Sequence, residues 1–251
     1  MKCVHINESK AKTKELTIIP FGDLHLGAKE CRLDKIKKQI KWIKDNKNSR
    51  VILMGDIMNL GSRDSVGGGV FDDVLQPQEQ YDLAIDLLKP IKKQIWFGLS
   101  GNHEENRIRA KTSFDLSKML CKALDTPFGG FGCFAKIRFG AQNYTIYAVH
   151  GASGAKMPHT KIKSVLDLAT YANADLYLHG HLHELDTHTS LYYEVDLRHA
   201  AVIEQKRYFV LTGHFLDYEG SYAHAKAMRP TKQGVAKVKI FKDKKDIHVS
   251  L

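Results

Sequence analysis

Asp23-Leu24-His25, Gly55-Asp56, Gly101-Asn102-His103-Glu104, Val149-His150-Gly151 and Gly180-His181-Leu182-His183 occur in that order along the chain. Carboxylate oxygen, amide oxygen and imidazole nitrogen together suit a pair of borderline divalent metals, whereas hard cations take oxygen ligands. Asp23 and His25 stand one residue apart, as do His181 and His183. On a strand that spacing sends both side chains to the same side, so both could hold one ion. Gly55 allows a sharp turn before Asp56, which lets that carboxylate reach two ions. Each block alone is weak: Asn102 could be a turn-former and His150 a satisfied core imidazole. Together, each at the end of an apolar run, they predict a two-metal hydrolytic centre, because a packed core gains nothing from so many metal-capable groups.

The elements that must position these residues are legible as short apolar runs. Leu16–Phe21, Val51–Met54, Ile95–Leu99, Tyr144–Val149 and Leu176–Leu178 suit buried strands. Between them lie amphipathic helices. Leu33, Ile36, Ile40 and Ile43 face one way and a row of lysines the other; Tyr81, Ala84, Ile85 and Leu88 repeat the pattern after Pro77, ending near Pro90. Phe114, Ser117, Leu120, Cys121 and Leu124 predict a third helix, and Ile162, Val165, Leu166 and Ala169 a fourth. Strands return at Tyr208–Leu211, Val235–Phe241 and Ile247–Leu251. Alternating strand and helix with a strand-rich tail predicts a layered α/β protein. The loop from Gly61 to Gln76, with Gly67-Gly68-Gly69, reads as a lid or as an ordinary surface loop.

The chain has 251 residues, 43% hydrophobic and 26% charged, which suits a single soluble domain over 1–251. No apolar run is long enough to span a membrane, and the polar start from Met1 to Glu15 lacks a secretory pattern, so a cytoplasmic setting without membrane contact is expected. Cys3, Cys31, Cys121 and Cys133 form no paired motif and read as free thiols. The net charge of +10 invites a nucleic-acid partner, but only 9 of the 38 basic residues are Arg, and a lysine excess also arises as a solvated helix face.

The five blocks resemble the calcineurin-like metallophosphoesterase superfamily, with its Asp-x-His, Gly-Asp, Gly-Asn-His, lone His and Gly-His-x-His pattern. The resemblance covers about residues 16 to 215 and leaves a strand-rich tail, 216–251, outside it. It implies a four-layer α/β/β/α sandwich, two mixed sheets flanked by helices. It also implies that Asp23, His25 and His183 hold one ion, that Asn102, His150 and His181 hold the other, and that Asp56 bridges them. Manganese is the expected metal, with iron, zinc and nickel tolerated by the same donors. In such a site a metal-bridged hydroxide attacks the phosphorus in line, and His103 contacts a phosphate oxygen and protonates the leaving alkoxide.

Departures from the family's branches bear on substrate. Phosphoprotein phosphatases read Gly-Asp-x-x-Asp-Arg-Gly at the second block, where this chain has Gly55-Asp56-Ile57-Met58-Asn59-Leu60-Gly61. Asn59 stands where an acid orients the catalytic histidine, and Leu60 where an arginine grips a phosphomonoester dianion. A phosphodiester carries one charge less, so the expected substrate is a phosphodiester in DNA, RNA or a nucleotide, with nuclease action foremost. The large repair nucleases continue into a further DNA-contacting domain, and the chain looks most like compact bacterial and phage members. A small-molecule phosphatase, a cyclic-nucleotide phosphodiesterase and a catalytically silent metal-binding scaffold are the alternatives, and a homodimer is open. Asn59 and Arg107 are candidate substrate contacts; Arg109, Lys156 and His159 read equally as phosphate contacts or solvated residues, and Tyr218, Tyr222 and His224 as base-stacking groups or, in preference, turn and edge packing. His179 and His214 are expected to support the site, and His5, His188, His199 and His248 to lie at the surface. His183-Glu-Leu-Asp-Thr-His188 is one residue too long for a zinc-protease helix, and Gly151-Ala-Ser153-Gly154 is no nucleophile elbow.

Overall fold

Unbroken aliphatic runs need cover on both faces, and the strands obtain it by stacking two sheets with helices outside. The computed structural model describes residues 1–63, 65, 71 and 73–251. The Gly67–Gly69 lid reading therefore lies outside the described residues. In chain order the strands are β1 (Lys2–Asn7), β2 (Glu15–Phe21), β3 (Ser49–Leu53), β4 (Ile95–Leu99), β5 (Phe128–Gly130), β6 (Gly132–Phe139) and β7 (Gln142–Val149). They continue as β8 (Leu176–His179), β9 (Leu185–Asp196), β10 (Ala201–His214), β11 (Gly234–Val235), β12 (Lys237–Phe241) and β13 (Ile247–Ser250).

One sheet runs β1-β6-β7-β8-β10-β11, with β9 also on β10; the other runs β13-β12-β2-β3-β4-β5. Both are mixed. β2, β3, β4 and β5 are mutually parallel and β12 joins them antiparallel; β7, β8 and β10 are parallel, β6 is antiparallel to β7, and β9 and β11 are antiparallel to β10. The period of two sorts each strand between layers. Leu16 and Ile18 of β2, Ile52 of β3, Ala135 and Ile137 of β6 and Tyr144 and Ile146 of β7 fill the space between the sheets. Ile19, Phe21, Val51 and Leu53 turn outward against Ile36, Ile40 and Ile43 of the helix Leu33–Asp45 and Ala84 and Leu88 of Pro77–Leu88. Tyr147, Tyr177 and Phe209 turn outward from the other sheet onto Val165 and Leu168, from the helix Pro158–Leu166 and the 3-10 turn Asp167–Thr170. The architecture is the α/β/β/α sandwich, and each such aliphatic side chain removed from water is worth about 1.5–3 kcal/mol.

The third helix is shorter than its pattern predicts. It spans Leu116–Ala123 with Asp115 capping it, and Phe114 lies exposed beyond the left-handed Ser113. The polar start of the chain forms an edge strand: β1 pairs in parallel with β6, and only Val4 and Ile6 need cover. The tail completes the other sheet through β12 and β13. Its following turn is held by Tyr144, 1% exposed, whose hydroxyl lies 2.7 Å from the Phe241 carbonyl and 2.8 Å from that of Lys244. Tyr144→Phe is expected to lower the unfolding free energy by about 1–3 kcal/mol, measured as a urea midpoint. An unchanged midpoint would show that the turn holds itself. No helix among the described residues is long and apolar enough to cross a membrane.

Candidate metal centre

Parallel strands in register end at the same edge, and the five blocks follow five such ends. β2 leads into Gly22-Asp23-Leu24-His25, β3 into Met54-Gly55-Asp56, β4 into Ser100-Gly101-Asn102-His103, β7 into His150 and β8 into Gly180-His181-Leu182-His183. The two Asp/His-x-His blocks are not strands, as the spacing alone suggests. Asp23 and His25 have φ of 49° and 49°, and His181 and His183 have 65° and 47°. In both blocks the middle residue, Leu24 or Leu182, is buried. A buried leucine thus anchors each loop while left-handed backbone on either side aims a ligand-type side chain inward. Asp56 is left-handed too, with φ 47°. Left-handed backbone costs roughly 1–2 kcal/mol at a residue other than glycine, and its concentration here marks a candidate functional site. Backbone bonds compensate: the Asp23 amide donates to Gly55, and those of Leu24 and His25 to Asp56, at 2.9–3.1 Å.

The side chains converge in overlapping groups, Asp23/His25/His183, His25/Asp56/His103 and Asp56/His150/His181. His183 Nε2 lies 3.3 Å from Asp23 Oδ1 and 3.0 Å from His25 Nε2. Two nitrogens each about 2.1 Å from one ion and at right angles would be about 3.0 Å apart, so this pair suits a single cation. Asp56 Oδ2 lies 3.4 Å from His150 Nε2, 3.6 Å from His103 Nε2 and 3.9 Å from His25 Nε2, central to the cluster. Asn102 Oδ1 lies 2.9 Å from His150 Nε2 and 2.7 Å from His181 Nδ1. The structure therefore brings together all seven of Asp23, His25, Asp56, Asn102, His150, His181 and His183.

His150 supplies the sharpest test of whether a cation fits. Its Nδ1 is 2.8 Å from the Met54 carbonyl and donates to it, which leaves Nε2 facing the oxygens of Asn102 and Asp56. A lone pair against two oxygens is repulsive unless a proton or a metal ion lies between them. Without a metal the proton serves: burial opposes the charge, but Asp56 outweighs it and lifts the His150 pKa to about 10. A divalent cation would displace that proton. Burial, reinforced by neighbouring positive groups, keeps His25 and His181 below the usual imidazole value, hence neutral and ready to ligate. Asp56 is held well below the usual carboxylate range; burial opposes this, and His150 and His103 prevail.

His103 sits at the rim. Its amide donates to Asp56 Oδ1 at 2.9 Å, and its Nδ1 donates to the main-chain carbonyl of Asn59 at 2.8 Å, leaving Nε2 toward Asp56 Oδ2. The orienting oxygen is thus the backbone's, not the Asn59 side chain's, whose amide donates to Asp73 at 2.5 Å. Arg107 donates to the same Asn59 carbonyl at 2.6 Å, which sets its guanidinium beside His103. Arg109 instead pairs with Glu105. Leu60, at the position of the phosphatase arginine, is fully buried. His214 stacks on His183 with centroids 5.1 Å apart and bonds to Thr231, while His179 bonds to the carbonyl of Gly180. Burial, the largest cause in each, drives their pKa values down to about 2 and about 4. Tyr218 donates to Met228 and packs on His224, and His5, His188, His199 and His248 are exposed.

Glu104 was invisible to sequence reasoning as anything but the residue after His103. Its buried carboxylate accepts the amides of Asp56, Ile57 and Met58 at 3.1, 2.8 and 3.1 Å, locking the left-handed turn that presents Asp56. Burial first, and Asp56 second, push its pKa up to about 7. Gly101 makes this approach possible: a Cβ there would lie 2.1 Å from the Asp56 nitrogen and 2.6 Å from Glu104 Oε2. The only sequence signal was an acid and a glycine bracketing Asn102-His103.

The family model for calcineurin-like phosphoesterases matches residues 16–185. The chain belongs to the calcineurin-like phosphoesterases. Solved structures similar to this family member include a predicted phosphoesterase from Streptococcus pneumoniae, 15% identical, covering 94% of this chain and 90% of that one, TM-score 0.41. Wild-type Vps29 complexed with zinc from Entamoeba histolytica is 11% identical over 94% of this chain and 97% of that one, TM-score 0.42. A metallophosphoesterase from Sphaerobacter thermophilus is 13% identical over 93% and 86%, TM-score 0.41. No curated protein matches the chain. For a calcineurin-like phosphoesterase, the Asp/His groups are candidate divalent-metal ligands.

Proposed function

We propose that this calcineurin-like phosphoesterase is a two-metal phosphodiesterase acting on nucleic acid or nucleotides, with manganese as its metal. The observation that carries the substrate argument is Leu60, which turns into the core where a phosphatase arginine would meet a dianion. Arg107 is the guanidinium beside His103, and one of its donors is committed to Asn59. A singly charged diester suits that environment better than a dianionic monoester, and the net charge of +10 favours a polyanion.

Asp23, His25 and His183 would hold one ion and Asn102, His150 and His181 the other, with Asp56 shared. Bound divalent cations would supply positive charge for the phosphoryl oxygens and acidify the attacking water. The chain's own part is orientation and proton transfer. The Asn59 carbonyl fixes the His103 ring, so Nε2 faces the site and can donate to a phosphate oxygen or a leaving alkoxide. With its Nδ1 proton on the Asn59 carbonyl, His103 donates through Nε2 only as the imidazolium; burial, the leading influence, lowers its pKa and disfavours that form, and a phosphate anion bound beside it would favour it. Asn59 would serve through its carbonyl and Arg107 through its remaining donors. The four cysteines are free thiols, which supports a reducing, cytoplasmic setting.

With manganese, bis-p-nitrophenyl phosphate should be hydrolysed faster than p-nitrophenyl phosphate, and His103→Ala should slow diester hydrolysis about 10²-fold. A monoester preference would sink the diester reading and leave the metal centre standing. Substrate affinity that falls steeply with salt supports a nucleic-acid polymer; a flat response points to nucleotides.

A further inference from the structure

Two strands of the first sheet run far past their neighbours. β8 pairs with β10 only at Tyr208–Leu211, whereas β9 follows β10 through twelve pairs, from Leu185 opposite Thr212 to Asp196 opposite Ala201. The outer part is a two-stranded ribbon, a form that is marginal in water by itself. Among the described residues, β10 is the only strand paired with β9, so its other edge is open.

Folded proteins usually blunt such edges with lysine, proline or a bulge. β9 has no lysine, proline or bulge, although Asp186, Glu194 and Asp196 place carboxylates along it. Leu185-Asp-Thr-His-Thr-Ser-Leu-Tyr-Tyr-Glu-Val-Asp196 contains no Lys, Arg or Pro, in a chain with 38 basic residues, and its register with β10 is unbroken. Leu191, Tyr193 and Val195 alternate along one face, where Val202 lies across from Val195; all four are more than half exposed, Tyr193 at 76%. An open, unbroken edge with an exposed apolar stripe on one face is a strand-pairing surface.

We propose that this edge pairs with β9 of a second copy of the chain, antiparallel about a twofold axis through Tyr192. An axis perpendicular to the sheet through a residue keeps each face continuous across the pair. Tyr192 then lies opposite the partner's Tyr192, Leu191 opposite the partner's Tyr193, and Thr189 opposite the partner's Val195. Ser190 comes opposite the partner's Glu194, and His188 opposite the partner's Asp196, an imidazole against a carboxylate that also accepts from His199 and the Arg198 amide of its own chain. Neighbouring registers are poorer. An axis through Leu191 sets Asp186 against Asp196 at both ends, one through Glu194 sets that carboxylate against itself, and one through Tyr193 sets Ser190 against Asp196 but brings His188 opposite no carboxylate. The paired edge from His188 to Asp196 would be roughly 30 Å long. The ribbon also emerges from the candidate metal centre: β9 starts two residues after His183, and β10 ends at His214, which stacks on His183. Pairing would brace that base, yet the proposal stands whatever the substrate.

Sedimentation of the full chain tests it. The wild type should dimerise with rising concentration, and Leu191→Lys combined with Val195→Lys should give a monomer with an unchanged far-UV spectrum. In a Cys3→Ser background, Tyr192→Cys should cross-link to its own copy on mild oxidation, because facing residues of antiparallel strands lie within disulfide reach. Ser190→Cys should not. A wild type that stays monomeric at every concentration overturns the proposal, as does a dimer that survives both lysines. Cross-linking through Ser190→Cys in preference to Tyr192→Cys overturns the register.

Discussion

Asp56→Asn is expected to lower manganese-supported diester hydrolysis at least about 10³-fold while the chain still folds. Asp56 Oδ2 is the atom that three imidazoles approach, at 3.4, 3.6 and 3.9 Å, so both halves of the proposed centre draw on its one negative charge. The amide keeps an oxygen that can accept the His103 amide, so the turn persists and the charge is lost. His150 would then lose the partner that holds its proton, and its imidazole would become neutral at little cost. Metal content per chain, measured after dialysis, should fall together with the rate, and the far-UV spectrum should not change. Undiminished hydrolysis with full metal content would remove Asp56 from the centre and the two-metal reading with it.

Glu104→Ala should produce the second large effect, on stability first and on metal affinity through it. Three buried amides, those of Asp56, Ile57 and Met58, would lose their acceptor at once. At roughly 1–3 kcal/mol per stranded donor, partly recovered by relaxation, the loss is about 3–5 kcal/mol. For a chain of this size that corresponds to a fall in Tm of about 10 °C. Glu104→Gln keeps one carbonyl oxygen for Ile57 and Met58 but turns an N–H₂ toward the Asp56 amide, so its loss should be intermediate. Metal affinity should drop about 10–100-fold in either variant, as it does when a group orienting a ligand is removed. Scanning calorimetry and metal titration on the same samples separate the two consequences. An unchanged Tm in the alanine variant would mean that the turn carrying Asp56 is held by other contacts.

Asp23, His25, Asp56, Asn102, His150, His181 and His183 were legible in the sequence because their chemistry is local: a short apolar run, a break, then a donor-bearing side chain. The layered α/β order was legible for the same reason, since buried parallel strands advertise themselves as aliphatic runs. β1, β6 and β9 were not, because strands with one face or both in water alternate or turn polar, and pairing rather than composition makes them strands. The one-residue spacings in Asp23-Leu24-His25 and His181-Leu182-His183 single out the right side chains for a reason the structure replaces: left-handed backbone about a buried leucine, not strand alternation, aims them. Glu104 and the Asn59 carbonyl were out of reach altogether. Their partners lie 44 to 48 residues away, and a main-chain oxygen or a carboxylate acting on main-chain amides leaves no mark in residue type. Local sequence determined which side chains could bind metal, and only tertiary folding decided which of them share a charge, because hydrogen bonds and Coulomb interactions depend on distance in space and not along the chain.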